Sequence, residues 1–508
     1  MPQLPTDVQI SPLETSYDNT THQSPPIHNA NDDTSRWLTC WRYNVVQRIL
    51  SAALLAPIVT VFLWLSPAIA TSTVCSFMTS TCSYEYACLA THIRLRILTR
   101  LEFMENSDLR SEVDASNASQ QETRSNRERR SSFVGSRSVD FDVPVSILDS
   151  TADTYLHQRL SNDGYRHAPR TPPTRAFEVE QEARELARVN SELVKQAPSL
   201  RRSAITSVAT HVFGGRKWLA TVCVSCLLCT ISSCIFLVVF EGFPVLASTE
   251  LYKSRLFYTA ATGFVAAMCA CMSPDWQYAV IIFLQNVVFT ILTLHSTACP
   301  INRLSCHMAL KPSQIFLTGI VIFLVFRLAT CRSNAEALLT FMLDTLGLVY
   351  IIGTLSVLVA FVDDERRTLY RKLLIALLYV VWASDTGAYI TGKLLALVKY
   401  PYYNPLAAHL SKNKDYEGTV GAIGFGIVAM VVTSDLLDLP GSASTKVAFA
   451  VVAVIVGRLG DLFESLLKRA AGVKDSGTLI PGHGGVLDRI DALMFATLVF
   501  SCYYAIVY

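Results

Sequence analysis

From about residue 49 to its end, the chain alternates apolar runs of some twenty residues with polar loops. One long polar stretch interrupts the series. A helix needs about 20 mainly apolar residues to cross the hydrocarbon layer of a bilayer. Runs of that kind lie at 49–69, 72–92, 218–246, 256–274, 277–296, 314–331, 335–361, 372–397, 418–437, 446–464 and 490–508. Any one of them could be a buried soluble helix, but so long a series is the mark of a membrane protein. Open strands leave backbone groups unpaired in lipid, so the spanning element is a helix. The expected fold class is therefore an all-α, polytopic transmembrane bundle of about ten spans. Composition agrees, with 17% charged residues against about 25% in soluble domains. The formal net charge of +2 argues against a nucleic-acid partner for the chain as a whole.

The interruption is 104–215, rich in Ser, Arg, Glu, Asp and Asn, as in Ser-Asn-Arg-Glu-Arg-Arg-Ser-Ser at 125–132. It has little to bury and is expected to be a largely disordered insert, with a charged amphipathic helix at about 176–198. The chain thus divides into a polar N-terminal tail (1–40), a first transmembrane hairpin (41–103), the insert (104–215), a transmembrane bundle (216–369) and a C-terminal transmembrane region (370–508). Residues 1–35 hold five acids and no Lys or Arg, unlike a basic targeting presequence. If the tail is cytoplasmic, parity puts the insert and the loops 398–417 and 465–489 in the cytoplasm. That agrees with Arg94, Arg96, Arg100, Arg216 and Lys217 flanking the insert. The same parity puts Arg366, Arg367, Arg371 and Lys372 on the far side, against the trend.

Most of the fourteen Cys residues lie in apolar runs. Cys223, Cys226 and Cys229 have metal-like spacing without a second ligand pair nearby. They are read as buried small hydrophobes. Cys299 and Cys306 flank a polar loop and could pair in an oxidising lumen.

Chemistry is concentrated in 457–491, GRLGDLFESLLKRAAGVKDSGTLIPGHGGVLDRID. Asp461 and Glu464 share a helix face, and Asp488 and Asp491 repeat the spacing at the entry to the last span. Carboxylates beside a span are costly unless they bind something. Hard cations such as Mg2+ take one or two carboxylates plus substrate phosphate. Lys468, Arg469, Lys474 and Arg489 are donors for phosphate oxygens. The turn Pro481-Gly482-His483-Gly484-Gly485 lets backbone N–H groups approach a ligand. Each part alone has a bland reading: a helix cap, a loop histidine, a turn. Their order and density beside apolar spans fit metal-assisted phosphoryl or nucleotidyl transfer.

The run from Ser465 to Asp491 resembles the signature of the phosphatidate cytidylyltransferases, the CDP-diacylglycerol synthases, and is closer in wording to the bacterial-type branch. Trp382-Ala-Ser-Asp385-Thr-Gly-Ala-Tyr389 with Gly392-Lys393 resembles an upstream span of that family. Ser411-Lys-Asn-Lys414-Asp-Tyr-Glu417-Gly418 resembles its Ser-Pro-Lys-Lys-Thr-x-Glu-Gly segment, departing at Lys412, Asn413 and Asp415. Arg48 to Pro57 looks like its opening span, while 104–215 has no counterpart.

The resemblance implies a helical membrane enzyme that uses CTP and phosphatidic acid to make CDP-diacylglycerol and pyrophosphate. It implies metal-binding acids at Asp461, Asp488 and Asp491, with Mg2+ as cofactor and room for a monovalent cation. Lys468, Arg469 and His483 join those acids as catalytic candidates. Ser465, Lys474, Asp475, Gly484, Gly485, Arg489, Asp385, Ser411, Lys414 and Glu417 are the substrate-binding candidates. The lipid bilayer is a partner throughout, and a homodimer is an open expectation. The endoplasmic reticulum is the expected membrane in a eukaryotic host. The competing readings are a CTP-dependent polyprenol or phytol kinase and a non-enzymatic transporter.

Overall fold

The structure is a computed structural model and describes residues 56–65, 68–131, 203–242, 250–298, 311–360, 367–400, 404–477, 479 and 484–507. Of a first compact unit, Met1–Phe62, only part of one helix is described; the second unit, Leu63–Tyr508, holds the rest.

The helices are α1 (Ala56–Leu65), α2 (Ala68–Ser131), α3 (Thr206–Val212), α4 (Lys217–Gly242), α5 (Glu250–Lys253), α6 (Arg255–Met272), α7 (Trp276–Ala298), α8 (Pro312–Thr330) and α9 (Asn334–Gly347). A π-helical turn, Leu348–Gly353, joins α9 to α10 (Thr354–Ala360). Then come α11 (Arg367–Leu397), a hairpin of β1 (Pro405–Ala407) and β2 (Ser411–Asp415), α12 (Tyr416–Leu437), α13 (Ala443–Ala471) and α14 (Leu487–Val507). Apart from the short hairpin, the described residues form the expected all-α architecture. Seven of these segments are long and apolar enough to cross a bilayer. The apolar parts of α13 and α14 match the runs expected at 446–464 and 490–508, and the signature acids stand at one end of each.

Large apolar side chains cover the outside: Leu227, Ile231, Ile235 and Val238 on α4, Val321, Val325 and Leu328 on α8, and Val428, Val432 and Leu436 on α12 are all exposed. In a bundle with lipid as its outer solvent, such faces need no protein partner. Cys223, Cys226 and Cys234 lie on this exposed side, while Cys229 and Cys271 are buried. The expectation that the α4 cysteines are all buried is therefore corrected: α4 presents much of its circumference outward. Cys299 and Cys306 lie outside the described residues.

The insert overlaps the described residues only at its ends. Residues 104–131 continue α2 as helix. Neither Pro nor Gly occurs in 68–131, so nothing interrupts a helix whose apolar first half is already formed, and propagation costs less than nucleation. At the other end, Ile205 and Ala209 are buried with Ala220 and Cys271, so 203–215 folds onto the bundle. The candidate helix at 176–198 and the polar tail lie outside the described residues.

α2 is the central element. It packs on α6, α7, α9, α13 and α14, and its Tyr86 hydroxyl donates to the Leu343 carbonyl of α9 at 2.7 Å. The C-terminal region is built from two helix pairs, α11 on α12 and α13 on α14, with α12 on α13 between them. Local signals start the helices: Asp415 caps α12 by accepting from the Gly418 N–H at 2.9 Å, and Ser442 caps α13 by accepting from the Thr445 N–H at 3.2 Å. Such caps contribute about 1 kcal/mol each. Asp415 is one of the departures from the family's segment, and it keeps an N-capping oxygen where the family has Thr.

Candidate active site

α13 and α14 cross where their side chains are smallest. A Cβ on Gly460 would stand 2.7 Å from the Asp491 carbonyl and 2.8 Å from the Phe495 ring. Only hydrogen at that position allows so close an approach. The close crossing sets Asp461, the next residue on α13, against Asp491 on α14.

Asp461 is surrounded by cations. Lys414, from β2, places Nζ 2.7 Å from Asp461 Oδ1 and donates to the Ser465 hydroxyl at 3.0 Å. Arg458 lies one turn back, with Nη1 3.4 Å from Asp461 Oδ2 and 3.8 Å from Asp385 Oδ1 of α11. The Nε and Nη2 atoms of Arg458 are buried without a hydrogen-bond partner. Asp491 differs: it is 6% exposed and accepts from the Ala492 N–H at 2.8 Å. Among the described residues no Lys or Arg pairs with it. A buried carboxylate pressed against a second one, with no cation of its own, suits a hard divalent ion completed by phosphate oxygens.

Asp488 belongs to a different cluster. It accepts from Lys468 Nζ at 2.7 Å, from the Ser476 N–H at 3.1 Å and from the Gly485 N–H at 3.0 Å. Lys468 also contacts the fully buried Glu464. Burial alone would raise the Asp488 carboxyl, but its contacts with Glu464, Lys468 and the Gly485 N–H outweigh that and hold it below the usual carboxylate range. Among the described residues no three His, Cys, Asp or Glu side chains converge to hold a metal ion. Asp461 and Asp491 meet, while the acceptor positions of Asp488 are filled by an ammonium and two backbone donors.

The other expected residues are distributed as follows. Asp385 is more than half exposed and faces Arg458 from α11. Arg469 donates through Nε to the Leu410 carbonyl at 3.1 Å and so ties the hairpin turn to the end of α13. Glu417 accepts from Asn404 at 2.7 Å and braces the hairpin's base. Ser411 opens β2 opposite Ala407. Lys474, Asp475 and Arg489 are exposed. Gly484 takes a positive φ of 84° beside Asp488, and Gly485 is buried. His483 lies outside the described residues, as do Pro481 and Gly482.

Sequence reasoning missed three residues. Arg458 lies inside the motif stretch, three residues before Asp461, and the spacing alone could have flagged it. Tyr350 stands in the π-helical turn and packs edge-on against Phe463 at 5.0 Å and Phe495 at 6.0 Å, directly at the α13–α14 crossing. Such turns are frequent at functional sites, but no sequence signal announces this one. Glu85 reaches the site from α2, hundreds of residues away.

A family model described as the Cytidylyltransferase family matches residues 201–507, more than half of the chain. Among curated proteins, the phosphatidate cytidylyltransferase of Staphylococcus epidermidis is 43% identical over 133 residues, covering 26% of this chain and 48% of the relative. That of Staphylococcus haemolyticus is 41% identical over 151 residues, 30% of this chain and 51% of the relative. That of Haemophilus influenzae is 39% identical over 136 residues, 26% and 45%. The chain spans about half the length of the curated relatives it matches. With a family match over most of the bundle and the signature residues gathered on two crossing helices, the chain belongs to the cytidylyltransferase family.

Proposed function

We propose that this protein transfers the cytidylyl group of CTP to phosphatidic acid, giving CDP-diacylglycerol and pyrophosphate. The observation that carries the reading is the convergence of acids and unsaturated basic donors at one end of α13 and α14, beside membrane-spanning helices. The names of the relatives supply the substrate class. A phosphate oxygen of the lipid attacks the α-phosphorus of CTP, and the bond to the bridging oxygen breaks as pyrophosphate leaves. Phosphate is a competent nucleophile near neutrality, so positioning and charge neutralisation are the protein's tasks. Asp461 and Asp491 would hold Mg2+, which when bound offsets charge on the triphosphate. Arg458 offers its unpartnered Nε–H and Nη2–H to phosphate oxygens, and Lys414 holds Asp461 and Ser465 in place. Asp385 keeps the Arg458 guanidinium turned toward this mouth. In a eukaryotic host the enzyme would work in the endoplasmic reticulum, with 398–417 and 465–489 on the cytoplasmic side.

The test is an assay of the purified full chain in detergent with CTP, phosphatidic acid and Mg2+. Label placed at the α-phosphate of CTP is expected to enter the lipid, and label at the γ-phosphate to leave with pyrophosphate. Transfer of γ-label to lipid would replace the reading with a lipid kinase.

A further inference from the structure

Glu85 sits in the first third of α2, is 1% exposed, and makes no ion pair among the described residues. A lone carboxylate at such a depth is expensive unless its charge is used. Here backbone donors satisfy it. The Val486 N–H donates to Oε1 at 2.9 Å and the Leu487 N–H to Oε2 at 2.8 Å. The Ser476 hydroxyl adds a third bond to Oε2 at 3.3 Å. Both ends of the segment that joins α13 to α14 therefore close on one side chain. Two glycines make room for it: a Cβ on Gly477 would stand 2.7 Å from Oε1, and one on Gly485 2.7 Å from Oε2.

Leu487 opens α14, and the first N–H groups of a helix form a ready anion site. Glu85 fills that site with the protein's own carboxylate. At the other end of the segment, Arg96 of α2 donates to the Arg469 and Ala470 carbonyls at 3.2 and 3.3 Å, at the C-terminus of α13. Residues 85 and 96 are about three turns apart, hence on nearly one face of α2. One face thus sets an anion at the start of α14 and a cation at the end of α13, the favourable sense for both helix dipoles. Asp488 lies one residue beyond Leu487, and it also takes the N–H groups of Ser476 and Gly485. The backbone that Glu85 fixes is the backbone that aims Asp488 at Lys468.

We infer that Glu85 is a positioning residue for the proposed reaction: from α2, outside the family-matched residues 201–507, it locks both ends of the signature loop and so sets the Asp488–Lys468 pair. The inference rests on the cytidylyl-transfer reading for its kinetic consequence but not for its structural one. Glu85→Gln keeps the volume and turns one acceptor oxygen into a donor. In the full chain it is expected to lower kcat about 10- to 100-fold, the usual loss for a supporting hydrogen-bond partner, with KM for CTP little changed. Amide exchange at Val486 and Leu487 should accelerate while the rest of α14 stays protected. Glu85→Asp keeps the charge but cannot reach all three donors, and should fall between the two. It carries the test if the Gln variant does not insert. Wild-type kcat and wild-type exchange at those amides in either variant would overturn the inference. If the unaltered protein makes no lipid-linked cytidine, the cytidylyl-transfer reading fails, and exchange at 486 and 487 alone decides for or against Glu85.

Discussion

Asp461, Asp488 and Asp491 look alike in the sequence, and the structure gives them separate duties. Asp461 and Asp491 face each other, so neutralising either removes a repulsion as well as a proposed metal ligand. Asp461→Asn and Asp491→Asn are each expected to reduce turnover about 100-fold or more. Both variants should still insert; the thermal midpoint in detergent should be unchanged or higher for Asp491→Asn, and lower for Asp461→Asn, which leaves Lys414 and Arg458 without their shared partner. Wild-type turnover in either variant would remove both residues from the chemistry. Asp488 holds Lys468 and two backbone donors, so Asp488→Asn should cost stability first. Truncating one partner of a largely buried ion pair costs about 3–5 kcal/mol. The sign with pH follows from the lowered folded-state carboxyl. Its stabilisation is fully present above the unfolded value of about 3.9 and is lost as pH falls through the lower folded value. The gap in thermal midpoint between wild type and Asp488→Asn should therefore be flat from neutrality down to about pH 5 and close only in stronger acid.

At the scale of elements, the site depends on how closely α13 and α14 cross. Gly460 sits at the contact, so Gly460→Val should force the helices apart and cost about 1–3 kcal/mol. Turnover should fall more than stability, because Asp461 and Asp491 would no longer meet. Equal turnover in the Val variant would show that the crossing distance is unimportant. The elements themselves were legible: apolar runs of spanning length located α4, α6 to α9, α11 and α12, and the runs at 446–464 and 490–508 located α13 and α14. What the sequence could not display was partner choice. Asp488 and Asp491 have the same spacing as Asp461 and Glu464, yet the rotation of α14 gives one acid to Lys468 and the other to Asp461. The π-helical turn at 348–353 was equally hidden, since its residues read as an ordinary apolar helix.

At the scale of the whole molecule, α2 belongs to the C-terminal bundle although the insert separates them in sequence. Its buried face, including Cys75, Tyr86, Leu89, Ala90 and Ile93, packs against helices that follow the insert, from α5 to α14. A fully buried Leu or Ile of that face contributes about 1.5–3 kcal/mol where the alternative is water. In lipid, the same association relies on packing and on polar bonds such as those of Tyr86, Glu85 and Arg96. The covalent link through 132–202 is then not what holds α2 in place. A protease site introduced there and cut after purification should leave the two fragments eluting together in mild detergent, with activity retained. Adding Glu85→Gln and Arg96→Met to the cut protein removes the Arg96 bonds and part of the Glu85 bonds to the signature loop, and should release the N-terminal fragment at lower detergent concentration than the cut parent. Separation of the parent's fragments under mild conditions would mean that the insert, and not the buried face of α2, ties the N-terminal helix to the C-terminal bundle.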